Sequence, residues 1–247
     1  MELVGEAGDA ASAIKKIEEL SPDVITLDIE MPGMNGIDFL KKIMPGYAIP
    51  VVVVSSANTR VFDALRAGAM DFVVKPDSSK GQATFLKELK EKIKGSVTVN
   101  RSFLRSMCSP AMERPIKQAK YGIVAIGAST GGTEAILSVV RELPKNTPGI
   151  VIVQHMPPVF TRMYAERLNN TCMMEAKEAE NGDRVLPGRI LVAPGDFQLR
   201  VKKGSDGYFV ECKKEAKVSG HCPSVDVLFG SVAEKAGGDA IGILLTG

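Results

Sequence analysis

Apolar residues along this chain gather into short unbroken runs, separated by stretches in which they recur every three or four positions. Positions 24–27, 51–54, 72–74, 122–126, 149–153 and 240–245 are apolar almost throughout, the signature of strands covered on both faces. Between them lie helical stripes, beginning with Ala11, Ile14, Ile17 and Leu20. The spacing predicts helices over 10–20, 37–43, 59–69, 82–94, 132–142, 160–169 and 224–236. Such alternation predicts parallel sheets layered between helices, an α/β architecture. One stretch departs from the rhythm. Residues 175–218 hold β-like segments at 189–192, 198–201 and 208–211 with a turn at Asp206–Gly207. They predict an antiparallel ribbon inserted in, or flanking, a parallel sheet.

The alternation lapses once more between the two halves. Across 87–120, nine Lys and Arg stand against three Glu, Gly95, Pro110 and Pro115 interrupt, and apolar periodicity ends at Ile93. This reads as a linker at 96–119 between a unit at 1–95 and another at 120–247. A length of 247 residues agrees with two domains of ordinary size. Both termini read as incomplete. LVGEAGDAASAI looks like a strand-like stub running into a helix without a leading strand and helix, and DAIGILLTG stops where the loop after its strand begins.

Charge and cysteine content narrow the function. The chain carries 31 Lys and Arg against 29 Asp and Glu, a net charge of +2, which argues against a polybasic nucleic-acid binder. The basic linker has a single Phe, little for bases to stack on. No apolar run approaches the ~18 residues of a membrane span, and the first residues lack the basic and apolar segments of a signal peptide, so a cytoplasmic location is expected. Cys108, Cys172, Cys212 and Cys222 form no C-x-x-C pair and are expected as reduced thiols. His221 and Cys222 are adjacent, but no second Cys or His pair stands at finger-like spacing, which disfavours a metal site.

Chemistry in open α/β sheets sits just past the carboxyl ends of the strands. Asp28, Ser55 and Lys75 occupy such positions in the first half. A carboxylate, a hydroxyl and an ammonium converging there suit phosphoryl transfer, with Asp28 as acceptor and the others donating to phosphoryl oxygens. The segments DIEMPGMNG (28–36), VVVVSS (51–56) and FVVKP (72–76) resemble the receiver domain of bacterial response regulators, over about residues 1–94. That resemblance implies a flavodoxin-like doubly wound sheet, here without its first strand and helix. It makes Asp28 the phosphoryl acceptor from a histidine kinase, Ser55 the switch hydroxyl, Phe72 the switch aromatic and Lys75 the family's lysine, with a cis Lys75–Pro76 bond. Receivers also hold Mg²⁺ with two acidic residues after the first strand. Here Asp28 and the backbone carbonyl of Glu30 supply two ligands, so Mg²⁺-dependent phosphorylation is expected of an intact parent.

The second half carries Gly127-Ala128-Ser129-Thr130-Gly131 between an apolar strand and a helix. This is G-x-S-x-G in the strand–turn–helix setting of a nucleophile elbow, where the helix N-terminus favours a developing oxyanion. A tight or phosphate-binding turn is the plainer alternative; the P-loop pattern fails because no Lys follows Gly132. His155 ends the next apolar strand and is the candidate base. His221 precedes a helix and reads as an ordinary polar loop residue. For a third group, Asp239 lies at the wrong end of its strand, Asp196 falls in the expected ribbon, and Asp226 opens a helix as a cap. None satisfies the role.

The segments GIVAIGASTGG (122–132), QHMPP (154–158), APGD (193–196), HCPSVD (221–226) and GILLTG (242–247) resemble the catalytic domain of the chemotaxis-receptor methylesterases of the CheB family. Together with the receiver, the resemblance spans the chain. It implies a second doubly wound α/β domain with Ser129 as nucleophile and His155 as base. It also implies hydrolysis of glutamyl methyl esters and deamidation of glutamines on methyl-accepting chemotaxis receptors, with no cofactor for the esterase and no membrane insertion. The family's Asp follows the LTG segment, beyond Gly247, so this chain is expected to be poorly active. A receiver ahead of the hydrolase implies that phosphorylation gates access to Ser129. The competing readings are a response regulator with a docking output domain and a transcriptional regulator; the ribbon and G-x-S-x-G oppose the latter.

Overall fold

The computed structural model describes residues 1–47, 49–56, 60–76, 81–98 and 122–246. They divide into two compact units, 1–109 and 110–247, each taken by itself below. Most of the expected linker, and with it Cys108, lies outside the described residues.

The first unit runs α1 (Ala10–Leu20), β1 (Ile25–Asp28), α2 (Gly36–Ile43), β2 (Val51–Ser55), α3 (Val61–Arg66), β3 (Asp71–Val74) and α4 (Gln82–Thr98). Its sheet is parallel, ordered β1-β2-β3, with Asp28 beside Val54 and Ser55 beside Val74. Val51, Val52 and Val53 are fully buried, which is why this strand reads as an unbroken apolar run. Asp9 caps α1 by accepting from the Ala11 and Ser12 amides, and Asn35 caps α2 through the Ile37 and Asp38 amides, each satisfying donors that a helix start leaves open. Lys92 of α4 pairs with Asp71 at 2.7 Å with both side chains nearly buried, and its ammonium sits over the Phe72 ring.

Two expectations fail in this unit. Residues 1–7 form no strand and are exposed; an apolar stub becomes a strand only where a neighbouring strand takes its backbone bonds. Among the described residues the cis peptide bond is Cys222–Pro223, and Lys75–Pro76 is not cis. X–Pro isomers differ by only about 0.5–1 kcal/mol, so the residue pair does not fix the isomer.

The second unit contains β4 (Ile123–Ala128), α5 (Gly132–Val140), β5 (Gly149–Gln154), α6 (Phe160–Thr171), β6 (Glu175–Glu178), β7 (Arg189–Val192), β8 (Gln198–Gly204), β9 (Gly207–Lys213), α7 (Val225–Lys235), a single 3-10 turn at Gly237–Asp239, and β10 (Ala240–Leu244). Five strands form a parallel sheet ordered β10-β4-β5-β7-β6. β8 and β9 form a separate antiparallel pair. The core on one side joins Ile123, Val151 and Leu191 of the sheet to Leu199, Val201 and Val210 of the ribbon and Leu228 and Val232 of α7.

The ribbon is therefore smaller than the sequence suggested. Residues 189–192 belong to the parallel sheet, because a four-residue apolar run is long enough to be buried but carries no sign of strand direction. β6 was not foreseen: of Glu-Ala-Lys-Glu only Ala176 is buried, as befits an edge strand.

Candidate active site

In the second unit, β4 and β5 run side by side in register, Ala128 beside Gln154, so the residues that follow them emerge together. Ser129 Oγ and His155 Nδ1 are 3.1 Å apart, a hydrogen-bonding distance for a hydroxyl and an imidazole. Both are half-buried.

The turn beneath them is tightly built. Gly131 has φ 74° and serves as the N-cap residue of α5, a left-handed conformation that glycine adopts without penalty. The Gln154 amide donates from Nε2 to the Ser129 carbonyl at 2.8 Å. A Cβ on Gly132 would fall 2.0 Å from Gln154 Oε1 and 2.5 Å from Ala128 Cβ, so only glycine lets the helix start this close to the strand. On the other flank, the Leu245 amide donates to Gly127 O at 3.0 Å, and the Ser129 amide donates to Thr246 Oγ1 at 2.8 Å. The Tyr164 hydroxyl, donating to Thr133 O at 2.8 Å, braces α5 from α6, and burial pushes its pKa well above the usual phenol value.

Sequence reasoning placed His221 as an ordinary loop residue, and the structure corrects this. Its ring lies flat on that of His155, with centroids 3.6 Å apart and planes 5° from parallel. The neighbouring Cys222 thiol has its pKa raised, first by burial and then by the charge of Asp196.

The three aspartates take other positions. Asp239 accepts from the Gly122 amide and from the Tyr208 hydroxyl, each at 2.9 Å, tying the start of β10 to β4 and the ribbon. Asp226 does not cap α7, whose N-cap position is Ser224; it accepts from Ser219 Oγ at 2.5 Å. Asp196 lies outside the ribbon, in the turn after β7, where its amide donates to Cys222 O at 3.3 Å. Gln154, Thr246 and the stacked His221 were missed. Two are polar residues whose role depends on a neighbouring strand, and the third on a distant loop.

In the first unit, the Lys75 ammonium contacts Asp28 Oδ2, and the Lys75 amide donates to Ser55 O at 2.9 Å. Asp28 Oδ1 accepts from the Glu30 amide at 3.0 Å. The loop between β1 and α2 folds back on this carboxylate. A Cβ on Gly36 would stand 2.3 Å from Asp28 O, and the Gly36 amide donates to Ile29 O at 2.8 Å. Ser55 and Phe72 are buried. The residues present do not make a Mg²⁺ site. Both Asp28 oxygens are engaged, and no cluster of three His, Cys, Asp or Glu side chains suited to a metal occurs among the described residues, against the six oxygens that Mg²⁺ requires.

A family model described as CheB methylesterase matches residues 124–247, and one described as response regulator receiver domain matches residues 1–85. The chain belongs to the CheB methylesterase family. A protein-glutamate methylesterase/protein-glutamine glutaminase 2 of Syntrophomonas wolfei is 52% identical over all of this chain and 73% of its own length. A protein-glutamate methylesterase/protein-glutamine glutaminase of Syntrophotalea carbinolica is 48% identical over all of this chain and 74% of its own. The crystal structure of the Thermotoga maritima CheB methylesterase catalytic domain matches 52% of this chain and 69% of that one, at 41% identity and a TM-score of 0.50. This CheB-family chain thus joins a receiver to a hydrolase unit. No helix among its described residues is long and apolar enough to cross a membrane.

Proposed function

We propose that the chain is a protein-glutamate methylesterase of chemotaxis, controlled by phosphorylation of its receiver unit, and that it works by serine chemistry. Its relatives carry the esterase and glutaminase names. The observation that carries the reading is the Ser129 Oγ–His155 Nδ1 contact of 3.1 Å at two neighbouring strand ends. A docking module would have no use for such a pair.

In this reading Ser129 Oγ attacks the γ-carbonyl carbon of a methylated glutamate while His155 takes the hydroxyl proton. The Thr130 amide, which follows the nucleophile at the elbow, is the donor expected to meet the developing oxyanion. The C–O bond to methanol then breaks as His155 returns the proton to the leaving oxygen. Water, deprotonated by the same imidazole, opens the acyl-serine and releases the glutamate. A glutamine enters by the same route, with ammonia leaving in place of methanol. No cofactor takes part. In serine hydrolases an acidic residue that orients the base is worth about 10⁴ in kcat.

In the receiver unit Asp28 accepts a phosphoryl group from a histidine kinase, with Lys75 and Ser55 meeting the phosphoryl oxygens and Phe72 reporting the change. Glutamyl methyl esters on methyl-accepting receptors are the substrate. Methanol release from methylated receptor membranes tests the proposal. Ser129→Ala lowers kcat by at least about 10²-fold with the receiver intact; hydrolysis at the parent rate would overturn the assignment. Equal methanol release before and after phosphorylation would overturn the regulatory part.

A further inference from the structure

His221 reaches His155 through a loop whose construction is elaborate for an ordinary surface turn. Val218 and His221 exchange both backbone bonds, each at 3.0 Å. The two residues between them, Ser219 and Gly220, have φ of 52° and 84°, the pattern of a two-residue type I′ turn. A left-handed serine is uncommon, and such conformations persist where the surroundings hold them. Here the holding groups are visible. Gln198 is fully buried at the start of the ribbon. Its Nε2 donates to Ala216 O at 3.1 Å and to His221 O at 3.2 Å, and its Oε1 accepts from the Ser224 amide at 2.9 Å. The Asp196 amide adds a bond to Cys222 O at 3.3 Å, and Ser219 Oγ donates to Asp226. One buried amide side chain thus spans the whole loop, and the loop sets His221 flat against His155 at 3.6 Å between centroids.

We infer that His221 is a positioning residue for the esterase: its ring, anchored through Gln198, fixes the plane of the His155 imidazole so that Nδ1 stays aimed at Ser129 Oγ. An imidazole carried on two rotatable bonds, Cα–Cβ and Cβ–Cγ, can swing out of line, and a displacement of about 1 Å at a reacting group costs on the order of 10²-fold in rate. Strand pairing and the Gln154 clamp hold the backbone on both sides of His155, but they do not fix its ring. A flat surface at van der Waals distance does. What the loop supplies on this account is a face, so another flat ring can replace it while a rounded side chain of similar bulk cannot.

The inference rests on Ser129 and His155 being nucleophile and base, and the two fail separately: Ser129→Ala tests the pair, the His221 series tests the stack. In the full chain, kcat and KM for methanol release from methylated receptor and the thermal midpoint are measured for His221→Phe, His221→Leu and His221→Ala. The Phe variant is expected within about 3-fold of the parent kcat, and the Leu and Ala variants about 10- to 100-fold below it at nearly unchanged KM. Should His221→Ala not fold, the Leu–Phe comparison decides. A parent-like kcat in His221→Leu, or a midpoint shift without a kcat change, overturns the inference because the ring is then mere packing. A Phe variant as slow as Leu overturns it as well, since a proton rather than a plane would then be at stake.

Discussion

Both units put polar side chains at the carboxyl edge of a parallel sheet, yet the two edges are made for opposite chemistry. In the receiver unit the edge holds a full ion pair, Asp28 with Lys75, more than a third exposed on both sides. In the hydrolase unit it holds a hydroxyl and an imidazole, Ser129 and His155, half-buried and clamped by Gln154. All four side chains belong to residues of intermediate burial, so the chemical groups themselves make the difference. On the proposed reading, a carboxylate that must be charged to attack a phosphorus relies on the water that reaches it to lower the cost of its charge. A hydroxyl that is activated only while its proton moves to a neighbour gains from a site in which fixed dipoles replace water. The same topology serves both, and the side chains placed at the strand ends select between them.

The comparison extends to the supports. Each unit braces a helix with a nearly buried charge pair: Lys92 with Asp71 in the first, Arg167 with Glu134 in the second. Removing one cation takes the opposite charge away from a nearly buried carboxylate. Lys92→Met and Arg167→Met are each expected to cost about 3–5 kcal/mol, with the arginine the costlier because it donates two bonds to Glu134. Hydrogen exchange followed by mass spectrometry reads each unit separately; protection should fall only in the unit carrying the change. A loss below about 1 kcal/mol, typical of a surface pair, would show that these bridges are not structural.

A smaller effect sharpens the contrast in function. Gly36 supports the Asp28 edge and Gly132 the Ser129 edge, each where a Cβ would fall within 2.3 Å of another atom. Alanine at either position is expected to cost about 1–3 kcal/mol through overpacking. Gly36→Ala should slow phosphoryl uptake from acetyl phosphate while leaving basal methanol release unchanged. Gly132→Ala should do the reverse, and a variant that impaired both would break the separation.

The smallest effect lies beside the hydrolase edge. Val159, exposed and β-branched, has φ 74° and ψ −46°, a strained conformation for such a residue. Val159→Gly relieves that strain and loses part of the gain to the freer unfolded chain, leaving a net stabilisation of about 1 kcal/mol. A lowered midpoint in calorimetry would contradict it.

Much of the fold was legible because both-face burial writes strands as apolar runs: 51–54, 122–126 and 149–153 read directly as β2, β4 and β5. β6 was not, since the polar edge strand Glu175–Glu178 has almost no apolar signal to read. The pair Ser129 and His155 was legible as strand-end residues in sequence. His221 was not, because its place depends on the Ser219–Gly220 turn and on Gln198, far from it in sequence. Gln154 was hidden as the polar end of an apolar strand.

The account turns on Ser129 as the atom that bonds to substrate, activated by His155. Treating the chain with a fluorophosphonate, digesting it and mapping the adduct by mass spectrometry tests this most directly. The account predicts one adduct, on Ser129, formed in step with loss of methanol release and strongly slowed in His155→Gln. An adduct on another residue, or methanol release that continues with Ser129 fully modified, would contradict it.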